Sequence, residues 1–201
     1  MSDKAFFVGD HAALDFLNTI ASPHGEAIEF IPNGIAYVTW LVDAGLLDPS
    51  LAKELLNRFG KPSLDRVAAE ARDLREWFRQ LIVKLAGTPA CRRTGDEVGT
   101  LNQILAMDCV HRQLEESGKQ LILHVRREFA RARQLLVPVA QVMAELVAED
   151  DPALIKHCAN SSCTLWFCDR TKAHRRRFCS AAVCGNRAKV AAFRERQRQS
   201  K

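Results

Sequence analysis

The sequence predicts a mainly α-helical domain with one β-hairpin, followed by a small cysteine-centred module that ends in a helix. Apolar residues recur every three or four positions through most of the first 150 residues. A stretch near residue 120 instead has the Leu, Ile and Val content of a strand. Five of the seven cysteines lie within 27 residues near the C-terminus. These observations place one domain at residues 1–150 and the module at 151–201.

Helix boundaries follow from capping and turn residues. We expect a helix over residues 11–20 and another over 33–45, with Gly45 as its C-cap. Asp48 before a proline caps a helix that ends near Gly60. Ser63 caps the longest helix, whose apolar stripe runs from residue 64 to 85. A capping box at residues 94–97 opens the next helix, which runs toward residue 108.

The pattern changes after that helix. Residues 109–114 and 120–125 predict an antiparallel hairpin across the turn at Ser117 and Gly118. Residues 129–149 return to helix, and Pro138 must kink or restart it because proline lacks the amide hydrogen that a helix interior uses. Two aspartates and a proline at 150–152 mark the boundary of the module.

Four cysteines in the module have the spacing of a metal site. Cys158 and Cys163 form one pair, Cys179 and Cys184 the other, and four residues separate the members of each pair. Thiolates are the ligands that tetrahedral zinc accepts four at a time, so we predict one structural Zn²⁺ in a treble-clef or ribbon-like fold. Metal-free reduced thiols and disulfides are the alternatives. Disulfides are disfavoured because no signal peptide is evident. Cys168 is a fifth thiol, better suited to a buried apolar position.

The same residues resemble a known family. Cys184, Gly185, Asn186 and Arg187 match the motif that names the CGNR zinc fingers, and residues 176–179 resemble its Arg-Arg-Trp-Cys segment with Phe in place of Trp. Trp166, Phe167 and Asp169 resemble its Trp-x-Phe-x-Asp segment in a looser form. The resemblance implies zinc ligands at Cys158, Cys163, Cys179 and Cys184.

A second resemblance covers the N-terminal part. Residues 13–19, ALDFLNT, resemble the segment that opens the ABATE domain, the partner of CGNR fingers, and residues 74–76, LRE, lie where that family has the same tripeptide. ABATE domains are described as stress-induced transcription regulators. The resemblance therefore implies a transcription regulator and extends to both ends of the chain.

The charge distribution favours a nucleic-acid partner. Residues 154–201 hold 12 Lys or Arg and 2 Asp or Glu, a net charge of +10, whereas residues 1–153 carry a net charge of −5. Segregated basic charge is typical of a surface that binds a polyanion, although a solvated basic terminus is the simpler alternative. We predict DNA contacts from these residues: Arg175, Arg176, Arg177, Asn186, Arg187, Lys189, Arg194 and Arg198.

Several of these residues share one side of the predicted C-terminal helix. At about 100° per residue, Arg187, Arg194 and Arg198 form a narrow stripe, while Val190 and Phe193 lie on another side, available to pack against the zinc module. Asn186 and Arg187 have an internal alternative, which is to brace the turn after the last cysteine. RNA, or an acidic protein partner, is the alternative to DNA.

No motif in the larger domain indicates catalysis. The sequence has no Gly-rich phosphate loop, nucleophile elbow or His-Glu-x-x-His helix, so we expect no enzyme. Asp15, Asn18, Thr19 and Arg75 are polar residues in apolar patterns, and they form either a structural network or a small-molecule pocket. A small-molecule effector and a homodimer are therefore open predictions. No apolar run reaches a membrane span, and we expect a cytoplasmic protein.

Overall fold

Five α-helices form the body of the protein within residues 4–22, 26–87 and 95–199, the part that this computed structural model describes. They are α1 (Ala12–Leu17), α2 (Gly34–Asp43), α3 (Pro49–Leu85), α4 (Gly95–Leu105) and α5 (Val137–Glu149). A sixth helix, α6 (Asn186–Gln199), ends the described chain. The predicted mainly α-helical fold is confirmed, while the capping threonine predicted at position 94 lies outside the described residues. None of the described helices is long and apolar enough to span a membrane.

Side-chain caps determine where α2 and α3 begin. The Asn33 carboxamide oxygen accepts a hydrogen bond from the Ala36 N–H at 3.0 Å. The Asp48 carboxylate accepts one from the Ser50 N–H at 2.8 Å. After α2, Gly45 has φ 70°, a left-handed value that glycine adopts without steric cost. The predicted cap at Asp48 is therefore confirmed, whereas the C-cap of α2 is Ala44 and the predicted Gly45 lies one residue beyond it.

Helix α3 is interrupted once. Gly60 has φ 68° and ψ 159°, a backbone conformation that is almost restricted to glycine. The interruption confirms that one helix ends near Gly60 and another follows. However, helical geometry resumes directly after Gly60, with Pro62 in the first turn, so Ser63 lies inside the helix and is not its cap. Proline is favourable there because the first-turn amide groups have no partner in the helix.

Three antiparallel hairpins accompany the helices among the described residues. The first pairs β1 (Ile20–Ala21) with β2 (Ile28–Glu29), and the third pairs β5 (Ile155–His157) with β6 (Trp166–Cys168). The second is the predicted hairpin, β3 (Val110–Ser117) with β4 (Gln120–Arg127). Its two-residue loop begins at Gly118, whose φ of 63° suits the first central position of a type II′ turn.

In the helical stretch before the zinc module, a new helix begins at the residue before Pro138, which is one of the two outcomes that the sequence predicted. A 3₁₀ helix spans Ala132–Leu136, and α5 begins at Val137 with Pro138 in its first turn. A further 3₁₀ turn, Pro152–Leu154, leads into β5. The buried side of α5 packs against α1 and α4, which places α1 at the centre of the body.

The body and the cysteine module share a core. Trp166 and Cys168 of β6 pack within the main hydrophobic cluster of the body. The Cys168 N–H donates to the carbonyl of Gly9 at 2.8 Å, which adds a main-chain contact between the two ends of the chain. The predicted domain boundary at residue 150 stays a prediction, because the packing is continuous across it.

Candidate zinc site and nucleic-acid interface

Four sulfur atoms meet at the centre of the cysteine module. Cys158 follows β5 and Cys163 precedes β6. Cys179 lies just before a π-helical turn, Ala181–Gly185, and Cys184 lies within that turn. Their Sγ atoms all lie within 4.8 Å of one another, and the Cys163 and Cys179 sulfurs are 3.8 Å apart. Tetrahedral zinc with Zn–S bonds of about 2.3 Å requires sulfurs separated by about 3.8 Å. The arrangement therefore fits a zinc ion.

Hydrogen bonds to sulfur support this arrangement. The Cys179 N–H donates to the Cys158 sulfur at 3.5 Å, and the Asn160 amide donates to the Cys184 sulfur at 3.6 Å. Such donors stabilise thiolate charge and orient the ligands. The carboxamide of Asn160 also accepts from Ser162, which closes the turn between the first two cysteines. Asn160 could not be singled out from the sequence, because this contact depends on the fold of the turn.

The remaining described cysteines lie apart from the four. Cys168 is fully buried in the main core, and burial raises the pKa of its thiol. Cys109 is exposed at the base of the β3–β4 hairpin, and Cys91 lies outside the described residues. The structure therefore places Cys168 where the sequence predicted it, in an apolar position and not in the cluster.

The buried carboxylate of Asp169 connects separate segments of the module through hydrogen bonds. Asp169 is fully buried, and its carboxylate accepts hydrogen bonds from the Lys156 ammonium at 2.6 Å and from the Arg176 N–H at 2.9 Å. Burial opposes its ionisation, but hydrogen bonds from Lys156 and Thr171 outweigh burial and hold the pKa of Asp169 below its usual range. Asp169 thus ties β5 and β6 to the segment that carries Cys179.

Arg176 is partly buried, unlike its two exposed neighbours. Its guanidinium stacks over the Phe167 ring at 4.2 Å and donates to the Phe178 carbonyl at 3.0 Å. It also donates to the Val8 carbonyl and forms an ion pair with Asp10, which fastens the N-terminus to the module. These contacts give Arg176 a structural role, and its nucleic-acid contact stays a prediction.

The other predicted contact residues are displayed on the surface. Arg175 and Arg177 are exposed beside a cleft of about 770 Å³, which Lys156, His157 and Trp166 also line. The further exposed residues lie on α6: Asn186, Arg187, Lys189, Arg194 and Arg198. The Asn186 amide donates to the Ala182 carbonyl at 3.1 Å, so it braces the turn as the internal alternative expected.

The apolar side of α6 differs from expectation. Val190 and Phe193 are 48% and 54% exposed, although the sequence suggested that they pack against the zinc module. Helix α6 begins immediately after the last cysteine and contacts the π-helical turn. Its later turns therefore project beyond the small module, which leaves these side chains without the expected packing.

The four residues of the predicted pocket do not converge on one space: Thr19 and Arg75 bond to each other, and Asn18 and Asp15 bond elsewhere. The Thr19 hydroxyl accepts from Arg75 at 2.9 Å, and the Arg75 guanidinium forms a two-bonded ion pair with Glu29 at 2.7 and 2.9 Å. The Asn18 carboxamide instead binds the main chain of Trp166. The Asp15 carboxylate accepts from the Gly9 N–H at 2.8 Å. Protein contacts thus occupy all four residues, an arrangement that favours the structural network over the ligand pocket.

The environment of Asp15 predicts that the stability of the fold depends on pH. Burial raises the pKa of Asp15 to about 6, against the opposing hydrogen bonds from Gly9 and Val8. The native state therefore binds this proton more tightly than the unfolded chain, whose aspartate pKa is near 3.8. By linkage, the contribution of Asp15 to stability falls as pH rises between these two values.

Two variants of Asp15 test this assignment in thermal melts. Asp15→Ala should lower the free energy of unfolding by about 1–3 kcal/mol, because the Gly9 N–H loses its acceptor. Asp15→Asn keeps an acceptor and cannot ionise, so its stability relative to the wild type should rise between about pH 4 and pH 6. A stability difference between Asp15→Asn and the wild type that does not change with pH would show that the carboxyl is solvated.

The fold and the four-sulfur site define a helical protein with a C-terminal zinc module. Comparison with protein families gives the particular family. The ABATE model, described as a "putative stress-induced transcription regulator", matches residues 10–150, and the CGNR zinc finger model matches residues 155–197. The chain belongs to the ABATE family and carries a CGNR zinc finger. A search of curated proteins found no match.

Family and geometry together define the cofactor. The CGNR match covers all four clustered cysteines, whose sulfurs all lie within 4.8 Å of one another. The module therefore holds one structural zinc ion. The metal supplies a fourfold cross-link, while Cys158, Cys163, Cys179 and Cys184 supply the thiolates and the hydrogen-bond donors orient them. Both family descriptions are those of regulatory and zinc-finger proteins and not of enzymes.

Proposed function

We propose that the protein is a transcription regulator that binds duplex DNA through the basic surface of its zinc module. The observation that carries this proposal is the net charge of +10 on residues 154–201, set against −5 on the rest of the chain. Counterion release from phosphate is the main source of affinity for such surfaces. The regulator description of the ABATE family supports the same function.

Two exposed groups of cations form the proposed contact surface. Within the described residues, no carboxylate pairs with any of the following exposed side chains: Arg175, Arg177, Lys189, Arg194 and Arg198. Ion pairs of the module instead use Lys156, Arg170 and Arg176. The first set is therefore available to phosphate, while the second holds the module together. Arg187 is exposed and lies on the same side of α6 as Arg194 and Arg198.

Helix α6 has the dimensions for a DNA groove. Its 14 residues extend about 21 Å, and a helix with side chains is about 10–12 Å wide, which matches the major groove. The exposed side chains of α6 are accessible to such a groove. Asn186 is occupied by the Ala182 carbonyl, so we assign it to the turn and not to a base edge.

The double variant Arg194→Ala with Arg198→Ala tests the proposal. We expect weaker binding to duplex DNA, unchanged zinc content, and a plot of log affinity against log salt flattened by about two units. The control is Lys53→Ala with Arg66→Ala, which removes the same charge from exposed positions on α3 and should leave binding and slope unchanged. Equal slopes for both double variants would remove α6 from the interface.

Competition with other polyanions distinguishes the alternatives. Duplex DNA should displace a labelled duplex at lower concentration than single-stranded RNA or heparin does. Preference for RNA would favour the RNA-binding alternative, and equal displacement by heparin would indicate charge alone. If no nucleic acid binds, an acidic protein partner becomes the leading alternative. The small-molecule effector and the homodimer are separate predictions within this proposal.

A further inference from the structure

The β3–β4 hairpin has one apolar face that is exposed to solvent. Alternation along the two strands places five aliphatic side chains on that face, each between 49% and 67% exposed. They are Val110, Leu114, Leu121, Leu123 and Val125. The cross-strand pair of Leu114 and Leu123 lies midway along the hairpin. We refer to these five residues as the apolar face.

The opposite face of the hairpin is suited to water. Glu115 pairs there with Arg126 at 2.7 Å and lies 3.6 Å from His124. Gln113 and His111 also alternate onto this side, and Ile122 is the aliphatic residue among them. Polar side chains thus predominate on this face, while five of the six aliphatic side chains of the hairpin lie on the other, which is the pattern of a hairpin whose apolar side is covered.

The body leaves the apolar face open. In the described part of the chain, an ion pair and a hydrogen bond join the base of the hairpin to the body: Arg127 pairs with Asp108 at 2.7 Å and donates to Gln141 at 2.7 Å. Every residue of the apolar face remains exposed in the described part of the chain. An isolated hairpin is marginally stable in water, and a contiguous aliphatic patch of this kind marks an interaction surface.

We propose that the apolar face docks onto the same face of a second copy of this chain. The charges on that face support a copy of itself as the occupant. Arg112 and Glu116 flank Leu114 at equal distances along β3, so both side chains point to the apolar side. Four residues apart on one strand, they are separated by about 13 Å and cannot pair within one hairpin.

A twofold axis through the Leu114–Leu123 pair satisfies both charges at once. This axis makes equivalent strands of the two hairpins antiparallel, and it places Arg112 of each copy opposite Glu116 of the other. The same operation places Val125 opposite Leu121 of the second copy, and Leu114 and Leu123 meet at the axis. Aliphatic groups then fill the centre of the interface and the ion pairs lie at its rim, as in other stable interfaces.

Sedimentation velocity of the zinc-loaded full chain tests the proposal. The wild type should sediment as a dimer. Leu123→Glu should raise the dissociation constant of the dimer at least about 100-fold, because a carboxylate would be buried in the interface. Gln113→Glu adds the same charge to the polar face of the same hairpin and should leave the dimer intact. A monomeric wild type, or equal dissociation constants for the two variants, would overturn the proposal.

A charge exchange identifies the symmetry of the contact. Arg112→Glu and Glu116→Arg should each weaken the dimer about tenfold, since each places like charges opposite one another. The double variant restores opposite charges and should return the dissociation constant toward that of the wild type. Additive losses in the double variant would overturn the twofold arrangement. Circular dichroism and zinc content confirm that each variant is folded, and both are independent of DNA binding.

Discussion

Replacing Cys184 with serine should abolish stoichiometric zinc binding and unfold the cysteine module. The buried core of the module is small without the metal: it consists of Ala21, Leu165, Phe167 and the four ligand cysteines, with Phe6, Val8, Phe30 and Phe178 packed against it only partly buried. Structural zinc contributes an apparent free energy on the order of 10 kcal/mol in small modules of this kind. Loss of one of four thiolates therefore removes the main stabilising interaction.

Metal analysis and thermal circular dichroism measure the two effects. Purified wild-type protein should contain one zinc per chain, and Cys184→Ser should contain far less. Because Trp166 and Cys168 pack in the core of the body, we expect the melting temperature of the body to fall as well.

Two other cysteines provide controls. Cys109→Ser changes an exposed thiol and should leave zinc content and melting temperature unchanged. Cys168→Ser should retain zinc but melt at lower temperature, because it buries a hydroxyl in an apolar core. Full zinc occupancy in Cys184→Ser would contradict the ligand assignment, and loss of zinc in Cys168→Ser would contradict the exclusion of Cys168.

Asn18→Ala is the second substitution with a large expected effect. The Asn18 carboxamide donates to the Trp166 carbonyl and accepts from the Trp166 N–H, both at 2.9 Å. These main-chain groups are buried, and each unsatisfied group costs about 1–3 kcal/mol. We therefore expect the free energy of unfolding to fall by about 2–5 kcal/mol, measured by urea denaturation.

Asn102 offers a matched control for Asn18. It is an exposed asparagine on α4, and Asn102→Ala should change the free energy of unfolding by less than about 0.5 kcal/mol. Asn18→Ala should keep its zinc at saturating metal, because Asn18 contacts none of the four sulfurs. Equal stability of the two variants would show that water replaces the carboxamide and that the junction is open to solvent.

Local features of the fold were predictable from sequence. The caps at Asn33 and Asp48, the restart at Pro138 and the turn at Gly118 follow from chemistry within a few residues of each position. The four cysteines of the cluster were also predictable, since the soft thiolate ligand and the repeated spacing restrict the choice of metal. Their hydrogen-bond donors were not, because Asn160 acquires its role only through the folded turn.

Long-range pairing could not be read from the sequence. The sequence predicted a helix over residues 11–20 that would carry Asp15, Asn18 and Thr19, but α1 ends at Leu17. Thr19 therefore turns toward Arg75 while Asn18 faces β6. Glu29, the ion-pair partner of Arg75, comes from a two-residue strand that is too short to leave a sequence pattern.

The Asn18–Trp166 contact also has a consequence for how the chain folds during synthesis. The two residues are 148 positions apart, so Asn18 leaves the ribosome long before its partner exists. Contacts of such large sequence separation form slowly, because the chain between them must first be ordered. Helix α1 is therefore made before α2 to α6, yet it acquires its final hydrogen bonds only after β6 has emerged.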